Sequence, residues 1–457
     1  MTIILVVIAL IGLGLIAVAS WMKINKAALA IFVGVLCWML LLFYGKGYVT
    51  QDYLEEFKTF ALESNTHSVR AFIANEWFLK AILTAAEVIL YIIATMSIVE
   101  VLSANGCFDF LRSWLRTRHS QKLLWALTAT AFVISANLDD FTTIAMMLVV
   151  MRALVANTRQ RMIYGVAIVL AANCGGALTV IGDINSLILW TRGVVTPTAY
   201  SYSMALPIFV ATIIPVYFLG RMLPSHIDIE PLQYIYRGDD TRLTPWQRIL
   251  MLIVGIGGLW FIPTFHSITY FPPFVGALCV LALLWLVDQV VNRQLVNEDE
   301  MVLQRQPRAL HTGGMQTIIY FLGICLTIEA VSHTGVLSAL HSLCSNTFED
   351  AFVLSGVAGL AGSVLDSTAL VLTHVSAFYT PTMTNMPEVF EQNGIFWPML
   401  SFSTTLGGSL LTIGSAGGYL LAKLENVSMG WYLRFVTPKV LLGWLAGLFI
   451  FAAIAYF

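Results

Sequence analysis

The sequence predicts an all-α polytopic membrane protein of about ten transmembrane helices in two inverted-topology repeats, each with a re-entrant hairpin and a broken helix. Three observations predict it. Apolar residues make up 58% of the 457 residues and charged residues 11%, with a mean hydropathy of +0.82, whereas soluble domains carry about 25% charged residues. Three landmarks recur in the same order at nearly the same offset. Basic residues flank one pair of short apolar runs and avoid the other.

A window of about 20 apolar residues is needed to span a bilayer core. It first finds spans near 2–20, 27–44 and 80–102. The first could pass for a signal peptide, but no basic residue precedes it and Lys23 and Lys26 follow. That charge order predicts a retained helix with its N-terminus outside. The acidic-leaning insert 45–79 is expected outside, with the amphipathic look of an interfacial helix. Runs 123–134 and 144–151 then flank Ser-Ala-Asn-Leu-Asp-Asp-Phe-Thr-Thr from Ser135. At 1.5 Å per residue they cover roughly 18 and 12 Å, short of the roughly 30 Å of a bilayer core. Asp139 and Asp140 therefore mark the tip of a hairpin, 123–152. An N-cap between two soluble helices is the bland alternative, which the composition disfavours.

A long segment, 162–190, follows, interrupted by Gly-Gly and Gly-Asp, and then spans near 204–220, 249–265 and 272–291. A span at 317–331 precedes a second hairpin, 350–380, around Asp366. A second Gly-interrupted segment, 395–424, and a last span, 437–457, complete the chain.

The repeat is legible residue by residue. Glu100-Val-Leu-Ser-Ala-Asn-Gly106 matches Glu329-Ala-Val-Ser-His-Thr-Gly335 at an offset of 229 residues. Leu138-Asp139 with Thr142 matches Leu365-Asp366 with Thr368 at 227, and GGALTVIGDINSLIL from Gly175 matches GGSLLTIGSAGGYLL from Gly407 at 232. We assign residues 1–230 to the first repeat and 231–457 to the second. Five spans and a hairpin per repeat is an odd number of crossings, so the second repeat enters the membrane inverted. The charges agree. Arg112, Arg116, Arg118 and Lys122 precede the first hairpin, and Arg152, Arg159 and Arg161 follow it, which puts both flanks inside. The equivalents in the second repeat, 332–350 and 381–394, hold only His333, His341, Glu349, Asp350, Glu388 and Glu391 and are expected outside. Loops 221–248 and 292–316, with Arg221, Arg237, Arg242, Arg248, Arg293, Arg305 and Arg308, fall inside on the same count, leaving both termini outside.

Function is expected where intramembrane backbone is irregular and charges are buried, because an ionised side chain at the bilayer centre is costly without a partner or a task. The candidates are Glu87, Glu100, Asp139, Asp140, Asp183, Glu329 and Asp366, with no Lys or Arg read at comparable depth. A carboxylate cluster suits a small cation or a proton rather than an organic anion. Hard cations prefer oxygen ligands. Asp139, Asp183 and Asp366 are the metal-binding candidates, with Asp140, Thr142, Thr143, Asn185, Ser367, Thr368 and Ser415 as further ligands. Opened backbone at Gly175, Gly176, Gly182, Gly407, Gly408 and Gly414 supplies carbonyls, tight helix packing being the alternative use of these glycines. Glu100 and Glu329 read as a proton path or as polar partners at a helix end, and His374 as a pH sensor or as lining for the hairpin end. Asn137 and Asn173 read as neutral ligands or as partners of opened backbone. Cys37, Cys107, Cys174, Cys279, Cys325 and Cys344 follow no framework spacing, so free thiols are expected. Neither cofactor nor nucleic acid is called for.

The stretches LDDFTTIAMM, ANCGGALTVIGDINSLILW and GGSLLTIGSAGGYLL resemble the NhaD-type sodium/proton antiporters of the wider ion transporter superfamily, which also holds arsenite pumps and dicarboxylate symporters. The likeness runs from about Glu87 to Leu424. It implies a non-enzymatic, homodimeric, inverted-repeat carrier of the cell (inner) membrane, with cation-binding roles at Asp139, Thr142, Thr143, Asp183, Asp366 and the backbone around Gly182 and Ser415. The chain departs from the pattern at Asp140 and Ser367, where the hairpin tips carry Asn, and at Val180 and Asn185, where a proline and a threonine are usual. The mechanism expected is competition of sodium or lithium with protons for one set of carboxylates, because Asp139 and Asp140 should not both stay ionised without a cation. Two alternatives stand beside it: a carrier of the same fold for arsenite or a carboxylate, and an intramembrane aspartyl hydrolase pairing Asp139 with Asp366.

Overall fold

The computed structural model describes residues 2–22, 24–51, 53–64, 67–227, 243–292, 313–337, 339, 347–379 and 387–456. Cys344, Arg237, Arg242, Arg293, Arg305, Arg308 and His341 lie outside the described residues, so the charge reading of the long loops and the sixth thiol are not addressed by it. The five described cysteines are free.

The described chain is helical, with one isolated bridge between His119 and His226. Helices α1 (Thr2–Met22) and α2 (Lys26–Tyr44) form an antiparallel pair, α2 being started by Asn25, whose side chain accepts the Ala27 N–H. Two short helices, α3 (Lys46–Gln51) and α4 (Leu54–Ser64), fill much of the insert. The rest of the insert departs from expectation: α5 (Val69–Phe72) continues through a π-helical turn, Ile73–Phe78, into α6 (Leu79–Ala104) as one stretch of 36 residues. Burial of Ile73 and Trp77 and the Glu76–Lys80 ion pair, four residues apart at 2.8 Å, carry the helix across this polar-looking sequence.

After α7 (Phe110–Trp114) come α8 (Ser120–Ser135) and α9 (Asp140–Leu154), joined by four residues, then α10 (Thr158–Leu178) and α11 (Ile184–Thr191), separated by a break, and α12 (Pro197–Gly220). In the other half α13 (Pro245–Leu252) runs through a π-turn into α14 (Gly258–Thr269), followed by α15 (Pro273–Val291) and α16 (Gly313–Ser332). Helices α17 (Phe348–Gly362) and α18 (Ser367–Phe378) are again joined by four residues; α19 (Phe396–Gly408) and α20 (Ala416–Glu425) are again separated by a break; α21 (Met429–Phe435) and α22 (Thr437–Tyr456) end the chain.

Among the described residues, nine helical stretches are long and apolar enough to cross a membrane. The tenth expected span, 395–424, is absent from that count because the chain opens after Gly408, leaving α19 and α20 at 13 and 10 residues. Packing sorts the helices into two groups. On one side α2 lies along α16, and α6 along α15 and α16; on the other, α8 lies along α10, α17 along α19, and α12 along α22. Gly34 and Gly323 mark the α2–α16 crossing: a Cβ on Gly34 would stand 2.8 Å from the Gly323 carbonyl oxygen. The core is deepest at α10, 83% of whose span is buried against 22% for 245–269, and at α19, buried throughout. The repeated E-x-x-S-x-x-G elements have one local cause. Gly106 and Gly335 end α6 and α16 with φ of +66° and +73°, the left-handed conformation that glycine supplies at helix C-termini.

Candidate cation site

Each four-residue connection ends on an aspartate that caps the next helix. Asp139 Oδ2 accepts the Thr142 N–H and the Thr142 hydroxyl, both at 3.0 Å. Asp366 Oδ1 accepts the N–H groups of Thr368 and Ala369 at 3.0 and 3.3 Å. Each cap satisfies N–H groups that have no partner inside the helix. Asp140 occupies the first turn of α9, its Oδ1 accepting the Phe141 N–H at 2.6 Å. Both breaks end at a helix start, and the second is capped by a side chain. Asp183 precedes α11, and Ser415 precedes α20, with its Oγ accepting the Gly418 N–H at 3.0 Å.

The glycines bring connection and break together, and they divide between the two uses the sequence left open. A Cβ on Gly175 would collide with the Phe132 carbonyl of α8, and one on Gly407 with the Gly359 carbonyl of α17, so this pair serves helix crossing. Gly176 and Gly182 instead face each other across the first break: a Cβ on Gly182 would lie 2.6 Å from the Ser135 carbonyl oxygen and 2.8 Å from that of Gly176. Gly408 and Gly414 repeat this, with a Gly414 Cβ 2.6 Å from the Gly408 oxygen and 2.7 Å from that of Ser363. Side chains would hold the two tips away from the two breaks.

Asp139, Asp140 and Asp183 consequently lie within electrostatic reach of one another, and no Lys or Arg among the described residues enters their surroundings. Asp183 is buried, and its Oδ2 accepts the Thr405 hydroxyl at 2.9 Å, while Thr405 Oγ1 accepts Asn185 Nδ2 at 3.1 Å. Asn173 Nδ2 donates to Ser409 Oγ at 2.8 Å. Three buried oxygens in these elements, Asn185 Oδ1, Asn173 Oδ1 and Thr143 Oγ1, have no hydrogen-bond partner. Buried polar atoms are otherwise nearly always paired. Thr405 was not singled out from the sequence. The offset of 232 that aligns the Gly-Gly pairs also sets Thr405 opposite Asn173, and that was the available signal.

The remaining candidates lie elsewhere or play structural parts. Asp366 faces Tyr320 of α16 and feels the charge of Lys26, so the two tip aspartates have different neighbours. Among the described residues no three His, Cys, Asp or Glu side chains form a metal cluster. Ser367 and Thr368 open α18 beside Asp366. Asn137 Nδ2 donates to the Val133 carbonyl at 2.6 Å, and its Oδ1 accepts the Trp260 indole N–H, tying the first tip to α14. Glu100 is half-buried in α6. Glu329 pairs with Arg192, which ends α11, so the reading of no cation at comparable depth is corrected. Arg192 lies just past the end of an apolar run, and only the fold sets it against α16. His374 hydrogen-bonds the Leu370 carbonyl and stacks on Phe378, a lining role.

The half-helix ends are clamped. Glu425, buried at the end of α20, pairs with Arg161 at 2.8 Å and Arg152 at 3.1 Å, while the Gly193 carbonyl past α11 accepts the Tyr379 hydroxyl at 2.9 Å.

Comparison with known proteins gives one family model and several named relatives. The family model described as a citrate transporter matches residues 76–389. "Sodium/proton antiporter 2" of Arabidopsis thaliana is 27% identical over 375 residues, 81% of this chain and 86% of that protein. "Sodium/proton antiporter 1" of the same plant is 28% identical over 372 residues, 81% of this chain and 62% of that protein. The "Na(+)/H(+) antiporter NhaD" of Vibrio parahaemolyticus is 25% identical over 394 residues, 79% of this chain and 89% of that protein.

Proposed function

We propose that this chain, which belongs to the citrate transporter family (CitMHS), exchanges sodium or lithium for protons across the cell membrane by alternating access. It is a multi-pass membrane transporter. The observation that carries the ion reading is the set of buried oxygens without a hydrogen-bond partner among the described residues, Asn185 Oδ1, Asn173 Oδ1 and Thr143 Oγ1, in the elements that hold three mutually interacting aspartates. Oxygen atoms are the ligands a hard cation prefers, and these elements offer both carboxylate and neutral oxygens. Protons are the other way to neutralise the carboxylates. Cation and proton then exclude each other at Asp139, Asp140 and Asp183, and only a neutralised site crosses. Sharing of one site makes exchange obligatory without a separate proton path.

The recurring contacts support the inverted-repeat architecture, in which α8–α9 and α17–α18 are the re-entrant hairpins and residues 1–230 and 231–457 the repeats. Ser135 and Gly182 correspond to Ser363 and Gly414, and the Tyr200 hydroxyl on the Ala177 carbonyl corresponds to the Tyr432 hydroxyl on that of Ser409. The resemblance to the antiporters adds a homodimer, and the charge pattern of the connections adds both termini outside. Transport of a carboxylate, citrate in the family description, calls for a cationic group at the substrate, and Arg192 is engaged by Glu329. An aspartyl hydrolase calls for Asp139 beside Asp366, whose partners differ.

Purified protein in proteoliposomes tests the reading. Sodium or lithium gradients are expected to drive proton movement, and Asp139→Asn to abolish it. Wild-type exchange in that variant, or citrate uptake without cation-linked proton movement, refutes the proposal.

A further inference from the structure

The alignment that pairs Glu100 with Glu329 extends towards the start of both helices. Residues 91–106 and 320–335 both read Tyr, eight residues, Glu, two residues, Ser, two residues, Gly. Both glycines end their helices in the left-handed conformation, so Tyr91 and Tyr320 occupy equivalent places on α6 and α16. Their surroundings are not equivalent. The Tyr320 hydroxyl faces the Asp366 carboxylate at the tip of the second connection, and α16 lies along α18. Tyr91 is 2% exposed and its hydroxyl is buried with no hydrogen-bond partner, while the neighbour α6 takes from the opposite group is α11. The tip of the first connection is held by Trp260 of α14 through Asn137, and among the described residues Asp139 accepts from its own helix start.

An orphaned buried hydroxyl disfavours the state that contains it by about 1–3 kcal/mol. It is retained at no such penalty if a second state supplies an acceptor. In a carrier built from two equivalent halves, the opposite-facing state exchanges the environments of the halves. The hydroxyl idle here becomes the one engaged there.

We propose that Tyr91 and Tyr320 are alternate docking hydroxyls, each engaged by the hairpin-tip aspartate of its own repeat, Asp139 or Asp366, in one of the two access states. The proposal rests on the inverted-repeat, alternating-access reading above. The tyrosines are positioning residues rather than cation ligands. Docking also couples loading to movement, since a carboxylate engaged by a tyrosine has one fewer lone pair for a cation, so each hairpin binds best when released.

Hydrogen exchange of the full-length protein in nanodiscs, read by mass spectrometry at residues 136–143 and 363–370, tests this. Tyr320→Phe removes a contact of the present state: the second tip is expected to exchange faster and the first slower, with a change of about tenfold in their ratio. Tyr91→Phe removes a contact of the other state, and the same ratio is expected to move in the opposite direction. The double variant is expected to return towards the parent. Tips that move together, or a Tyr91→Phe variant indistinguishable from the parent, overturn the proposal. Sodium-driven proton movement by the same preparations separates the two readings. Its presence with tips that move together refutes the tyrosine exchange alone. Its absence with tips that move oppositely refutes the ion assignment and leaves the exchange standing.

Discussion

Replacing Gly182 with alanine tests whether contact between the first connection and the first break builds the site. A Cβ there would meet three backbone atoms: the Ser135 oxygen at 2.6 Å, the Gly176 oxygen at 2.8 Å and the Gly176 Cα at 2.9 Å. None belongs to a side chain that can rotate away. Restoring ordinary contact at about 3.4 Å requires the tip to retreat by roughly 0.8 Å, a gap that forfeits a quarter to a half of the dispersion energy of each facing atom pair. Overpacking of this kind costs typically about 1–3 kcal/mol, and rigid backbone on every side puts this site near the upper end. The shift also carries Asp139 and Asp140 away from Asp183, and misplacement by about 1 Å lowers rates roughly 100-fold where geometry is decisive. The matched control is Gly356→Ala on α17, where a Cβ meets nothing within 4 Å and helix propensity favours alanine by about 1 kcal/mol. Thermal melting in detergent and transport in proteoliposomes read the pair. Gly182→Ala is expected to melt several degrees lower and to lose transport, and Gly356→Ala to match the parent or exceed it in stability. Wild-type melting and transport in Gly182→Ala would refute the close-approach argument, as would equal damage from the control.

Two further outcomes are expected. Glu425→Gln strips the charge that Arg152 and Arg161 share and leaves Arg161 short of a partner, so stability should fall by about 2 kcal/mol, discounted for the half-exposed Arg152; a melting temperature equal to the parent's would show the triad to be inert. His333 lies past the end of α16, stacked on Trp77 at 4.3 Å, and burial pushes its imidazole down to about 4, against an opposing pull from Glu329. The unfolded chain takes up a proton below about pH 6.5 and the native protein does not, so stability falls by up to about 3 kcal/mol as pH drops through that window. His333→Phe keeps the stack and should flatten melting temperature against pH between 6.5 and 4; a profile as steep as the parent's would rule out His333 as its source.

Much of this molecule was fixed locally. Asp139, Asp366 and Ser415 precede helices because helix starts need acceptors, and that need is legible in one dimension. Gly106 and Gly335 were legible as a repeat, and their left-handed backbone gives the reason for it. Span counting matched nine continuous helical stretches among the described residues, and 395–424, read as Gly-interrupted, opens after Gly408 into helices of 13 and 10 residues. The span read from residue 80 begins earlier, at Val69: polar residues near Glu76 hid the part of the helix that packing completes.

Tertiary structure decided what depends on residues distant in sequence. Gly175 and Gly407 proved to serve helix crossings, while Gly176 with Gly182 and Gly408 with Gly414 close the tips onto the breaks, a division that glycine spacing cannot express. Thr405 reaches Asp183 across 222 positions, and Arg192 meets Glu329 across 137. By itself the sequence determined a membrane protein with three landmarks recurring in order and acids at helix starts, because hydropathy, repetition and capping are properties of short stretches. Only the fold decided which acids share an environment, which stand apart and which oxygens are left without partners, because those facts follow from how one half of the chain packs against the other.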